Sequence, residues 1–382
     1  MRTLLITNDF PPNNPGGMNR YYSGLASGFP ADEIEVLTVR ADEHHDEEFA
    51  FPIHRTRVTE EEVRRFLNNR HWYSKAREIL GTREFDYILC GNFRPFAYVT
   101  YWLHRKLGIP YFIFFHGNDL LRVETKIRNN PLKRWFYPRI VNSAAGFVAN
   151  SSFTANLIRK KLEIHDTPVF ICLPGLDADL LHQPPAPPFP ENGGQCRLVT
   201  VGRLTRRKGI DVVIRALGRI RSEIPELRYS VIGKGDPAPY LELAREHQVD
   251  NLVEFPGYVT PERLPDIYRS HDVLVMVSRM IEQTDNVEGF GIVYLEGNAF
   301  GKPVIGSRSG GITDAVEEGK TGLLVDDPTD PSEVGEKILE LYRNPVKARR
   351  MGEYGYNRVN RDFRWERSAM RLRDEIRECL SG

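Results

Sequence analysis

With 382 residues, the chain is longer than one ordinary hydrophobic core supports, so two domains are expected. Apolar residues make up 41% and charged residues 27%, the balance of a soluble globular protein. Lys and Arg number 52 and so do Asp and Glu, so no overall field argues for nucleic acid or another strongly charged partner, and any anion site must be local.

The N-terminus, "MRTLLITNDFPP", starts basic, but its apolar run stops after Ile6. That is too short for the core of a signal peptide, so a first buried strand is predicted at 3–7. No apolar run approaches the ~18 residues that a membrane-crossing helix needs. The expected location is the cytoplasm, with any membrane contact peripheral, at the inner face. Cys90, Cys172, Cys196 and Cys379 are scattered, with no C-x-x-C pair and no nearby His cluster. Neither a disulfide framework nor a zinc site is indicated.

After the first strand comes "NDFPPNNPGGMNRYY", where Gly16 and Gly17 precede a helical run and offer a backbone cradle for an anion or sugar. A Pro-Gly turn alone explains the same letters, and the dinucleotide fingerprint G-x-G-x-x-G is absent. Further strands are predicted at 35–39, 87–91, 111–115 and 146–150, each a short β-branched or aromatic run. His116 closes "YFIFFHGND" at a strand's carboxyl end, where α/β sheets bind ligands; a buried His bonded to backbone is the alternative. Between Leu120 and Val141, Arg122, Lys126, Arg128, Lys133, Arg134 and Arg139 face one acid, Glu124, and Trp135, Phe136 and Tyr137 interrupt them. Such a mixture suits an anionic membrane surface. A solvated helix face with its aromatics turned inward also explains it, and is the preferred reading.

The stretch "LHQPPAPPFPENGG" can continue neither helical nor strand periodicity and is predicted as a semi-rigid spacer. The expected domains are therefore 1–182 and 196–362, joined through 183–195. An amphipathic closing helix, 363–382, is expected to pack back on the first, with Ala369, Leu372, Ile376 and Leu380 at helical spacing. Strands in the second half are predicted at 198–202, 229–233, 252–257, 273–278, 303–307 and 322–326. Strands alternating with helical patterns throughout predict an α/β protein of two doubly wound, Rossmann-like domains, with the active site in the cleft between them.

Two stretches of the second half carry chemistry. "VGRLTRRKGID" places Arg203 directly after a strand and Lys208 before a helix, two cations able to neutralise a pyrophosphate. "NVEGFGIVYLEGNAFGKPVIG" separates Glu288 from Glu296 by seven residues, with Gly289 and Gly291 after the first acid. Glycine weakens a helix interior by about 1 kcal/mol. At a helix start the same glycines let phosphate approach unpaired amides. Both acids would then reach hydroxyls of whatever the phosphate carries.

The motifs "TNDFPP…GG", "FFHGND", "ANSSFTANLI", "LPGLD", "VGRLTRRKG", "GKGD", "FPGYV", "EGFGIVYLE" and "SGGITDAVEEGKTGLLV" stand in one order along the chain. The sequence resembles, over essentially its whole length, the retaining family-4 glycosyltransferases of GT-B fold. "TNDFPP" and "NVEGFGIVYLE" look closest to the phosphatidylinositol mannosyltransferase branch. The resemblance implies that Glu288 holds sugar hydroxyls and that Phe290, Gly291 and Ile292, with Gly289 beside them, bind the diphosphate through backbone. Glu296 would bind ribose, Arg203 and Lys208 the diphosphate and leaving group, and Gly233 another part of the donor. Gly16 and Gly17 would close over the donor, His116 would line the sugar site, and Tyr258 and Val259 would lie against the base. Asp9, Asn118 and Asp119 fall on the acceptor side. His116, Glu288, Arg203 and Lys208 form the implied catalytic set. One departure is "PGLD" where many relatives have "PNGVD". Asp177 and Asp179 imitate a D-x-D metal motif, but sit where Asp favours a helix cap.

The expectation is hexose transfer with retention, from a nucleotide diphosphate sugar to a glycan or glycolipid hydroxyl, without metal or other cofactor and without a nucleic-acid partner. Branch resemblance favours GDP-mannose. A UDP-glucose or UDP-N-acetylglucosamine transferase is the alternative, and a nucleotide-sugar epimerase is a further one.

Overall fold

A computed structural model describes residues 1–13, 16–42, 46–63, 68–121, 131–189, 195–281 and 286–382, with backbone alone for 131–134. The chain divides into two compact units: Met1–Gly175 together with Arg364–Gly382, and Leu176–Phe363.

The first unit holds a seven-stranded, wholly parallel sheet in the order β3-β2-β1-β4-β5-β6-β7. Its strands are β1 (Thr3–Ile6), β2 (Ile34–Thr38), β3 (Ile53–Arg55), β4 (Tyr87–Cys90), β5 (Tyr111–Phe115), β6 (Gly146–Ala149) and β7 (Val169–Ile171). Helices α1 (Gly17–Ser27), α2 (Asn69–Leu80), α3 (Phe93–Leu107), α4 (Pro131–Ser143) and α5 (Ser152–Leu162) connect them. Period-two alternation sends Leu4, Ile6, Ile113 and Phe115 to one core and Leu5, Phe112 and Phe114 to the other. A strand buried on both faces is apolar at most positions, which is why the central strands were readable as runs.

The last helix of the chain, Trp365–Ser381 (α13), closes this unit. It buries Trp365, Ala369, Leu372 and Ile376 in the second of these cores, beside Tyr21 and Tyr22 of α1. The indole lies so close to α1 that a Cβ on Gly24 would stand 2.1 Å from its ring. Arg373 donates to Glu33 at 2.6 Å and ties the helix to the loop before β2.

The second unit holds a six-stranded parallel sheet in the order β10-β9-β8-β11-β12-β13. The strands are β8 (Gln195–Val201), β9 (Glu226–Ile232), β10 (Val253–Gly257), β11 (Val273–Val275), β12 (Val304–Ser307) and β13 (Gly322–Val325). The helices are α6 (Ile210–Ile220), α7 (Ala238–Glu246), α8 (Leu264–Ser270), α9 (Ile292–Ala299), α10 (Ile312–Ala315), α11 (Pro331–Arg343) and α12 (Pro345–Asp362), with α13 following in the first unit.

The boundary therefore falls after Gly175, not in the proline-rich stretch. The described part of that stretch is laid against the second unit. Ala186 donates its N–H to Phe300 O at 3.0 Å, Phe189 donates to Asp272 Oδ1 at 3.0 Å, and the Phe189 ring is buried in the core. One aromatic among the prolines turns an expected spacer into a strap. Strands β3 and β7 were not predicted. Each is a half-buried edge strand of 3 residues, too short to show a period. Among the described residues no helix is long and apolar enough to cross a membrane.

Candidate functional site

Strand order reverses beside β8, which pairs with β9 on one side and β11 on the other. Ligands of doubly wound sheets bind beyond the carboxyl ends at such a point. Beyond β8 the chain stays beside the segment that follows β9: Leu204 donates to Lys234 O at 2.9 Å. Gly233 donates in turn to Gly257 O at 2.8 Å. Arg203 is exposed at this edge. A 3-10 turn, Arg206–Lys208, then points its first cation outward and turns Arg207 and Lys208 in, each 9% exposed.

Both meet Glu288. Arg207 and Lys208 donate to its Oε2, the lysine at 2.7 Å, and Ser278 Oγ reaches the same oxygen at 3.3 Å. Burial alone would push this carboxyl up; the adjacent Lys208 and Arg207 outweigh it and hold the group down at about 2. Burial lowers the Lys208 ammonium, an effect that Glu288 opposes. The arrangement is fixed from behind. Arg279 donates its N–H to Arg207 O at 2.9 Å, while its guanidinium grips Asp211 at 2.8 and 3.0 Å.

The backbone of Glu288 is pinned by the turn after β12. Gly311 donates to Glu288 O at 3.0 Å, and Gly310, at φ 60°, comes so close that a Cβ would stand 2.2 Å from that oxygen. Gly291 caps α9 at φ 92°, in the left-handed region. Gly289 and Ile292 are half-buried, while Phe290 is buried with its ring 6.1 Å from that of Phe363. Glu296, one turn into α9, is 1% exposed and accepts a hydrogen bond from the Tyr268 hydroxyl. Tyr258, just beyond β10, is 54% exposed with Lys234 Nζ 4.6 Å over its ring, and Val259 beside it is half-buried.

In the first unit the order reverses between β1 and β4, and a polar cluster occupies that point. Thr7 donates to Asn92 Oδ1 at 2.9 Å, and Asn92 Nδ2 donates to Asp9 Oδ2 at 2.8 Å. His116, beyond β5, is buried, with Nε2 2.7 Å from the Tyr22 hydroxyl. Burial lowers its pKa to about 3, so the imidazole is neutral at ordinary pH. Asp119 Oδ1 accepts from the N–H groups of His116 and Leu120, both at 3.0 Å, which fixes the turn that carries half-buried Asn118. Gly16 and Gly17 stand exposed at the start of α1, with nothing within 4 Å of a Cβ at either. Of the basic segment 120–141, residues 122–130 and the side chains of 131–134 lie outside the described residues. Trp135 is 52% exposed beneath the Arg139 guanidinium, while Phe136 and Tyr137 pack on the core. Asp177 opens a 3-10 turn, Ala178–Leu180, but its side chain makes no capping bond. Among the described residues no group of three or more His, Cys, Asp or Glu could hold a metal ion.

The family model described as Glycosyltransferase Family 4 matches residues 15–180, and the one described as Glycosyl transferases group 1 matches 187–358. The chain belongs to the family-4 glycosyltransferases. A GDP-mannose-dependent alpha-(1-6)-phosphatidylinositol monomannoside mannosyltransferase of Mycolicibacterium smegmatis is 28% identical to it, over 99% of this chain and 98% of the relative. A D-inositol 3-phosphate glycosyltransferase of Paenarthrobacter aurescens is 28% identical over 64% of this chain and 60% of its own. Among solved structures, sucrose-phosphate synthase of Thermosynechococcus elongatus superposes with a TM-score of 0.78 at 21% identity, covering 100% and 99% of the two chains. HepE of Anabaena, solved with UDP and glucose, gives 0.72 at 17%, covering 99% of each. These two share the GT-B fold.

Within this glycosyltransferase, the second unit brings together Glu288, Lys208 and the start of α9. Arg203 stands exposed on the segment leading to the turn that carries Lys208. Reading the sequence missed Arg207, Ser278 and Tyr268, and in the first unit Tyr22 and Asn92. The signal for Arg207 was only its place beside Lys208; the turn that faces it inward is not visible in three adjacent cations.

Proposed function

We propose that this glycosyltransferase moves a hexose, with retention at the anomeric carbon, from a nucleotide diphosphate sugar to a hydroxyl of a glycan or glycolipid. The observation that carries this reading is Glu288 held by two buried cations just before the N-terminus of α9. Cations and free helix-end amides suit a diphosphate, and a carboxylate kept ionised beside them suits sugar hydroxyls. Arg203, Arg207 and Lys208 supply positive charge without a metal, so donor binding is proposed to be metal-independent. Glu296, with Tyr268, is assigned to ribose, and Tyr258 with Val259 to the base. In the first unit, Asp9 and His116 at strand ends are assigned to the acceptor and the sugar; the bonds that Asp119 makes fit a framework role.

In the proposed reaction the bond from C1 to the diphosphate breaks, with its electron pair going to the phosphate oxygen. The acceptor oxygen bonds to C1 on the same face, and the acceptor's proton passes to the departing phosphate. The chain contributes position and fixed charge. GDP-mannose is put first as donor, because the Mycolicibacterium relative that matches nearly the whole chain is named for it. A UDP-hexose is the alternative, since HepE holds UDP and glucose on the same fold. The test is nucleoside diphosphate release from GDP-mannose, UDP-glucose and UDP-N-acetylglucosamine with phosphatidylinositol vesicles or oligosaccharides as acceptors. The anomeric proton of the product reports retention. A folded protein that binds none of the three donors refutes the reading.

A further inference from the structure

Three donors, from Arg207, Lys208 and Ser278, converge on Oε2 of Glu288, while among the described residues none donates to Oε1. Without the carboxylate, Arg207 and Lys208 would be two buried neighbouring cations, an arrangement that strongly attracts an anion. Glu288 is thus the resident anion of the site that the proposed function gives to the donor's diphosphate. The charges also match. Three cations, Arg203, Arg207 and Lys208, less one carboxylate leave a site of charge +2, equal and opposite to the diphosphate of a nucleotide sugar. A free nucleoside diphosphate carries about one charge more, because its terminal phosphate ionises a second time near pH 6.

We infer that Glu288 and the ligand's diphosphate exchange partners, so that Arg207 is a further diphosphate ligand and Glu288 is the residue by which the site disfavours the spent nucleotide. At rest the carboxylate occupies the two cations. An arriving nucleotide sugar takes them over and offers hydroxyls to the freed carboxylate. A free nucleoside diphosphate also takes the cations, but it places charged phosphate, not hydroxyls, toward Glu288. The carboxylate then has lost its partners and gained a like charge, which costs affinity and favours release.

The inference rests on the nucleotide-sugar reading, and its test separates the two. Dissociation constants are measured by calorimetry for GDP, UDP, GDP-mannose and UDP-glucose on wild type and Glu288→Gln. The expected result is that the variant binds the free diphosphate about tenfold tighter and its nucleotide sugar no tighter. The ratio of the two constants within each protein, free diphosphate over nucleotide sugar, should fall at least tenfold in the variant, and this ratio does not depend on the fraction folded. Should the variant not fold, a crystal structure of wild type with the diphosphate decides: the Arg207 guanidinium is expected on phosphate oxygens and off Glu288. Equal affinity of both proteins for the free diphosphate, or a complex with Arg207 still on Glu288, overturns the exchange while leaving the donor site in place. Folded wild type that binds none of the four ligands overturns the nucleotide-sugar reading and the exchange with it.

Discussion

Lys208 Nζ stands 2.7 Å from Oε2 of Glu288, with both side chains largely withdrawn from water. Lys208→Met keeps the stem but removes one charged donor from a buried carboxylate, at a cost of about 2 kcal/mol. For a unit of this size the thermal midpoint should fall by roughly 4–8 °C. Nucleoside diphosphate binding should weaken at least tenfold, by about the strength of one charge-assisted bond. A variant that melts like wild type and binds GDP and UDP equally well would remove Lys208 from both roles.

The two units should respond to acid in different windows. The folded pKa of His116, about 3, lies below its ordinary 6.5, so the unfolded chain binds its proton first. The stability this gives is complete above 6.5 and is lost as pH falls toward 3. Glu288 is depressed from 4.5 to about 2, so its contribution persists until pH falls below 4.5. Trp72, Trp102, Trp135 and Trp365 all belong to the first unit, so indole fluorescence reports on that unit alone. Thermal melts between pH 7 and 4, followed by fluorescence, should show a falling midpoint that His116→Gln flattens. Parallel slopes in the two proteins would contradict the buried neutral imidazole.

Gly291→Ala should destabilise the second unit. An L-residue at φ 92° is strained, and the new Cβ would stand 2.5 Å from the Tyr294 ring. Ala at a positive φ costs more than the ~1 kcal/mol of an ordinary glycine replacement, and the contact adds to it. The measurement is a chemical denaturation curve. An unchanged midpoint would mean that the helix start shifts freely, and with it the proposed amides for phosphate.

Tyr268→Phe removes one donor to the buried carboxylate of Glu296. If Glu296 binds ribose, this variant should discriminate less between GDP and 2′-deoxy-GDP, because the carboxylate loses a fixed orientation. The ratio of the two dissociation constants is the readout. A ratio that does not move while overall stability falls would assign Tyr268 to packing alone.

Donor affinity should be the same with EDTA as with magnesium, since the proposed site neutralises the diphosphate with arginine and lysine. A hundredfold loss on chelation, restored by magnesium or manganese, would refute this.

What could be read from the sequence follows from what each element must satisfy. Strands β4 to β6, and β1 after Thr3, are buried on both faces, so their letters are apolar without a break. Edge strands β3 and β7 satisfy only one neighbour and leave no such trace. The helix start at Glu288 and Gly291 was legible because glycine is costly inside a helix and an acid suits the helix N-terminus. Arg207 was hidden because exposure, not residue type, separates it from Arg206. Phe189 was hidden among prolines whose stiffness suggested distance, whereas stiffness equally suits a strap lying on a surface.

The first unit is made of two pieces of chain, with residues 176–363 between them. During synthesis all seven of its strands leave the ribosome before the second unit, yet Tyr21 and Tyr22 cannot be covered by Trp365 until α13 emerges last. The inserted unit is continuous and can fold as soon as it is made. The nascent protein therefore carries an open aromatic face for the time that nearly half the polypeptide takes to translate. A released chain that ends at Phe363 should present that face to chaperones while already holding a finished second unit.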